Sequence, residues 1–124
     1  MIDFSPNGNS LIGRDGADVL IAGDGADTLQ GDRGFSPGVS DTYTGGAGGD
    51  TFRFGEAFGG GSLETFGTDT ITDFGTGADT VDLFTGLSVR SGLGTTSVVI
   101  WDGVSDFGTI TASNGHLWVA GDFT

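Results

Sequence analysis

Large apolar residues return along the first half of this chain at a fixed interval. Leu20, Leu29, Tyr43 and Phe52 each stand two places after an aspartate: Asp18, Asp27, Asp41 and Asp50. Asp18 to Asp27 is nine residues, and so is Asp41 to Asp50. Around them the chain reads GRDGADVLI at 13–21, AGDGADTLQ at 22–30 and GGAGGDTFR at 45–53. A third copy opens at Gly31, breaks for the insertion FSPGV at 35–39 and resumes at Ser40; a degenerate copy, FSPNGNSLI at 4–12, has Asn9 at the aspartate position and Leu11 at the apolar one. The shared frame is G-G-x-G-x-D-x-U-x, with U a large apolar residue. A single apolar position between two polar ones predicts a three-residue strand with one inward side chain, and the Gly-rich half predicts a tight turn.

Such short strands bury nothing alone and must stack. If two repeats make one turn of a coil, Leu11, Leu29 and Phe52 line one sheet and Leu20, Tyr43 and Ile71 the other. The fold class expected is all-β, a right-handed parallel β-roll. Residues 55–67, with Gly59, Gly60 and Gly61 in a row, interrupt the array as a loop, and GTGADTVDL at 75–83 is a late copy. In the last third, 95–101, 107–112 and 116–120 are β-branched or aromatic runs separated by Asp102-Gly103 and Asn114-Gly115. They predict antiparallel strands capping the roll, the last two joined by a tight hairpin. One structural domain is expected, organised as repeats at 1–54, a loop and late repeat-like strands at 55–94, and capping strands at 95–124.

Composition explains why such a chain needs help to fold. Only 35% of its 124 residues are hydrophobic and 26 are Gly, so little apolar surface opposes the entropy of ordering the backbone. There is no Cys and hence no disulfide staple. The net charge is −13, and 15 of the 17 acids are Asp, phased with Gly and apolar residues as a disordered acidic tail would not be. Nucleic acid and anionic membranes are repelled by such a charge. No apolar run approaches the roughly 20 residues of a membrane span, so no membrane insertion is expected, and MIDFSPNGNS lacks the basic and apolar regions of a signal peptide.

A bound cation is the staple this pattern supports. Gly-rich turns aim carbonyl oxygens between stacked loops, and short Asp side chains add charge close to the backbone. Calcium takes six to eight oxygen ligands at roughly 2.3–2.6 Å, a set that such loops supply. The coil pairs aspartates two repeats apart: Asp18 with Asp41 and on to Asp69, and Asp27 with Asp50, preceded by Asn9 and followed by Asp79. About three to five calcium ions would offset roughly half or more of the charge. The candidate ligands in the loops are Gly13, Asp15 and Gly16; Gly23, Asp24 and Gly25; Gly31, Asp32 and Gly34; and Gly45, Gly46 and Gly48.

These repeats resemble the RTX (repeats-in-toxin) calcium-binding proteins of Gram-negative bacteria. DTITDFGTGADTVDL at 69–83 is similar to the segment that follows the array in C-terminal domains of serralysin-type proteases and in the R-modules of mannuronan C5-epimerases. The resemblance implies the metal role for Asp18, Asp27, Asp41 and Asp50, and extends it to Asp69, Asp73 and Asp79. It also implies a non-catalytic module, secreted or at the cell surface, exported unfolded by type I secretion machinery and folded by extracellular calcium. The tail LWVAGDFT fits either a secretion signal or a terminal strand.

Other chemistries fit less well. His116 is the only His and no G-x-S-x-G elbow exists, so His116 is expected as a surface residue at a strand start. No Lys follows the Gly-rich pieces as a phosphate loop requires. The EF-hand spacing is absent, and zinc lacks its usual ligands. Trp101 and Trp118 are expected to cover the open end of the roll. The alternative function is binding of an extracellular, alginate-like polysaccharide, which would need Arg14, Arg33, Arg53 and Arg90 to form a basic strip.

Overall fold

The computed structural model describes residues 2–3, 6–14, 16–31, 39–55 and 65–124. Among them ten strands run in chain order: β1 (Ser10–Ile12), β2 (Val19–Ile21), β3 (Thr28–Gln30), β4 (Thr42–Thr44), β5 (Thr51–Phe54), β6 (Gly67–Ile71), β7 (Thr80–Leu83), β8 (Ser88–Ser91), β9 (Ser97–Trp101) and β10 (Asp106–Ala112). The repeats separate into two sheets by alternation. One has the order β1-β3-β5-β7 and the other β2-β4-β6-β10-β9-β8. All pairs within the repeats are parallel. No described helix is long and apolar enough to cross a membrane.

The register is the one the nine-residue frame predicts. Leu11 lies beside Leu29, Leu29 beside Phe52 and Phe52 beside Val81. On the facing sheet Leu20 lies beside Tyr43 and Tyr43 beside Ile71. All seven are buried to within 1% exposure. The insertion leaves this frame intact; its residues 35–38 fall outside the described set. Aromatic rings fill the later, wider part of the core: Tyr43 meets Phe52 and Phe54 edge-on, with centroids 6.2 and 5.4 Å apart.

Glycine allows the loops to stack. The second and fourth positions of a repeat need φ > 0: Gly46 and Gly48 at +96° and +125°, Gly75 and Gly77 at +93° and +125°. A Cβ on Gly48 would run into the carbonyl oxygen of Gly25, and one on Gly77 into that of Gly48. The first copy departs at its second position, where Arg14 holds φ +82°.

The C-terminal third differs from its expected form. Antiparallel strands are present, and they extend the second sheet past β6: β10 runs parallel to β6 and antiparallel to β9, and β9 antiparallel to β8. The third antiparallel strand is β8, before the other two. Residues 116–120 form no strand, and Asn114-Gly115 closes no hairpin; the Asn114 side chain donates instead to the Phe74 carbonyl at 3.0 Å. The run fails as a strand because only Trp118 turns inward, while Leu117 and Val119 are over half exposed. The tail then makes a 3-10 turn at Ala120–Asp122 and returns to the first sheet, where Phe123 bridges Val81 in parallel. The loop at 55–67 also ends earlier than expected: Phe66 is buried and β6 begins at Gly67, while 56–64 lie outside the described residues.

Candidate metal centre: the aspartate ladders

Each repeat aspartate stands immediately before its strand, so stacking strands stacks carboxylates. One oxygen of each carboxylate accepts the backbone N–H of the residue one coil turn earlier. Asp41 accepts from Asp18 at 2.7 Å, and Asp69 from Asp41 at 2.9 Å. On the other side Asp27 accepts from Asn9 at 2.7 Å, Asp50 from Asp27 at 2.9 Å and Asp79 from Asp50 at 2.9 Å. These are the two columns, paired two repeats apart, that the spacing predicts, with Asn9 at the head of one.

The second oxygen divides the aspartates into two groups. Oδ2 of Asp18, Asp27, Asp41 and Asp50 is buried with no hydrogen-bond partner. In three of them it folds back over the first Gly of its own loop: a Cβ on Gly13, Gly31 or Gly45 would strike the carboxylate of Asp18, Asp41 or Asp50. At the later positions both oxygens are engaged. Asp69 Oδ2 accepts from the Tyr43 hydroxyl at 3.0 Å, and Asp79 Oδ2 from Gly75 N–H at 2.9 Å. Asp73 takes Gly45 N–H at 3.0 Å and Gly46 N–H at 2.7 Å, one on each oxygen.

A buried carboxylate oxygen with no donor is costly, more so beside like charges. Burial pushes Asp41 and Asp50 up to about 6, with the neighbouring Asp18 carboxylate adding to the first and Asp79, Asp27 and Asp73 to the second. Burial takes Asp69 up to about 8, against the opposing hydrogen bond from Asp41 N–H. These groups hold protons more tightly in the folded chain than at their ordinary value of 3.8. The metal-free fold is therefore expected to be most stable below that value. Stability should fall as pH rises through about 6 and then about 8, the reverse of ordinary acid denaturation. Urea midpoints measured in chelator from pH 4 to 9 check this; a midpoint that rises with pH would contradict it.

The donor set fits a hard cation. Four orphaned carboxylate oxygens lie in loops whose carbonyls face the next loop; those of Gly23 and Gly25 face Gly46 and Gly48. Among the described residues no three acidic, His or Cys side chains converge on one point, so a cation would draw its remaining ligands from carbonyls and water. Gly16 holds φ +98° at the turn of the first loop, and Asp24 is exposed on the second. Asp15, Asp32 and Gly34 lie outside the described residues.

Tyr43 escaped sequence reasoning as part of this site. Its signal was a hydroxyl at a U position where the neighbouring repeats carry Leu or Phe. His116, expected at a strand start, instead joins the tail: its ring packs 4.8 Å from Phe74, and Nε2 lies 2.8 Å from Asp122 Oδ2. Arg53 pairs with Asp82 at 3.1 Å and Arg90 with Asp106 at 2.8 Å, so two of the four arginines needed for a basic strip are engaged by carboxylates.

Comparison with known families finds that the model of the peptidase M10 serralysin C-terminal domain matches residues 8–101. No curated protein and no solved structure matches the chain.

Proposed function

We propose that this chain, which belongs to the peptidase M10 serralysin C-terminal family, binds calcium between its stacked loops and completes its fold by doing so. The family is the RTX-type calcium-binding β-roll module, non-catalytic and carried by exported proteins. The observation supporting this assignment of residues is the set of orphaned Oδ2 atoms on Asp18, Asp27, Asp41 and Asp50. A calcium ion supplies each with the positive partner that the fold withholds. Asp69, Asp73 and Asp79, already satisfied by Tyr43, Gly45, Gly46 and Gly75, serve as terminal pieces of the ladder in this reading. The number of ions then falls at the low end of the three to five expected.

Export as an unfolded chain through type I machinery of a Gram-negative bacterium, followed by folding in extracellular calcium, is the role that suits a metal-dependent fold. Family membership supports it. An alginate-like partner gains no support from the arginines.

Calorimetric calcium titration of two variants tests the site. Asp27→Ala removes a ladder carboxylate and is expected to lower affinity at least tenfold, the scale of about 1.4 kcal/mol. Asp3→Ala, outside both ladders, is expected to leave it unchanged. Equal losses would place the ions elsewhere.

A further inference from the structure

The same repeat that aims aspartates into the loops builds a second surface on the outside of the longer sheet. Residues flanking an inward U side chain point away from the core. On three adjacent strands these are threonines: Thr42 and Thr44 around Tyr43, Thr70 and Thr72 around Ile71, Thr109 and Thr111 around Ile110. Register brings them into ranks, Thr42 beside Thr70, Thr70 beside Thr111, and Thr68 beside Thr109. Hydroxyls along the ranks touch: Thr44 and Thr72 at 2.6 Å, Thr111 and Ser97 of β9 at 2.9 Å. Ranked neighbours repeat at about 4.8 Å across the strands, and at about 6.6 Å, twice the rise per residue, along them.

Strand propensity alone does not account for this. On the other sheet the same repeat places Ser10, Thr28, Thr51 and Thr80 in a single rank, and the next rank carries the Arg53–Asp82 ion pair. The double ranks belong to one face. Across β4, β6 and β10 that face carries no outward charge until the Arg90–Asp106 pair at its rim, in a chain of net charge −13. It also carries none of the large exposed apolar side chains.

A partner for this face must be neutral, flat and periodic in two directions. Polyanions are repelled by the whole molecule, and a polycation would favour the aspartate loops. A sugar ribbon is gripped by aromatic rings, and no ring lies among these three strands between Thr68 and Thr72 or their neighbours. A second copy would need apolar surface that is not there. Ordered water remains. Threonine is stiff at χ1, so each hydroxyl and methyl is held in a fixed place before any partner arrives. We propose that this threonine face binds ice, its hydroxyl ranks matching the oxygen spacing of the crystal in two directions while the methyls between them sit over open lattice cages.

The test observes single ice crystals growing in solutions of the calcium-loaded chain, with circular dichroism confirming that wild type and variants are folded. The expected result is faceted crystals whose growth halts over a measurable temperature gap. Thr70→Lys, and independently Thr42→Lys, should abolish both effects, and Thr51→Lys on the other sheet should abolish neither. Unfaceted growth with the folded wild type would overturn the proposal. So would retention on insoluble cellulose or chitin that Thr70→Lys removes, which would make the face a carbohydrate surface.

Discussion

In excess chelator the chain is expected to lose its β-sheet circular dichroism and expand from a radius of gyration of about 14 Å toward about 36 Å, the folded and unfolded values for this length. Returning millimolar calcium should restore both. The expectation follows from the ladders. Without cations the carboxylates of Asp18 and Asp41, and of Asp27 and Asp50, stack along neighbouring strands with their second oxygens unsatisfied. The apolar core opposing this cost is narrow: one inward residue per three-residue strand through β1 to β4. An ion held at a hundred times its dissociation constant contributes about 2.7 kcal/mol. Two such ions equal the whole stability of a marginal domain, ~5 kcal/mol. Small-angle scattering with and without chelator measures the change, and a compact chain in chelator at pH 8 would refute it. At pH 4 the same chelated chain should retain more structure, because protons occupy the carboxylates that calcium would otherwise compensate.

Trp118→Ala is expected to destabilise the calcium-loaded chain by about 3–5 kcal/mol, the range for truncating a fully buried large aromatic. Trp118 has no exposed surface. Its ring lies 4.7 Å from Phe74 and 5.5 Å from Phe123, and its Nε1 donates to the Thr96 carbonyl at 2.9 Å. Its backbone ties the tail to the β8–β9 connection, donating to Thr95 at 2.9 Å and accepting from Gly94 at 2.8 Å. Losing the ring empties the junction where the tail, β6 and the last repeat meet. At about 4 °C per kcal/mol the midpoint of thermal unfolding should fall by roughly 12–20 °C. Trp118→Phe, which keeps most of the apolar contact and loses the hydrogen bond, should cost about 1–2 kcal/mol. A change of only about 2 °C in the alanine variant would mean that the tail unfolds separately from the roll.

The roll was legible in the sequence because its information is local and repeated. A period of nine, with one apolar residue per period, fixed which residues share a sheet; the parallel pairing of Leu11, Leu29 and Phe52 needs no other input. The same period placed Asp27 against Asp50 and Asp18 against Asp41. What the period could not reveal is which carboxylates are satisfied. That depends on groups a full coil turn away, such as the Tyr43 hydroxyl on Asp69, or on a turn whose shape is known only once folded, such as Gly75 N–H on Asp79. The cap was less legible for a different reason. β8 reads Ser-Val-Arg-Ser, with only Val89 packed on the core, and carries too little apolar pattern to announce a strand. The segment 116–120 has the opposite fault: its hydrophobicity serves one buried ring, held by an irregular backbone.

The alternation of repeats between two sheets limits how such a chain can change in length. Removing one nonapeptide would send every later strand to the opposite sheet, so that the cap built on β6 would attach half a turn away from its present position relative to the N-terminal edge, where Ile2 meets Ile21. Removing two would shorten the coil by one full turn and leave every sheet assignment unchanged. Gains and losses of repeats in relatives with the same two ends should therefore come in even numbers.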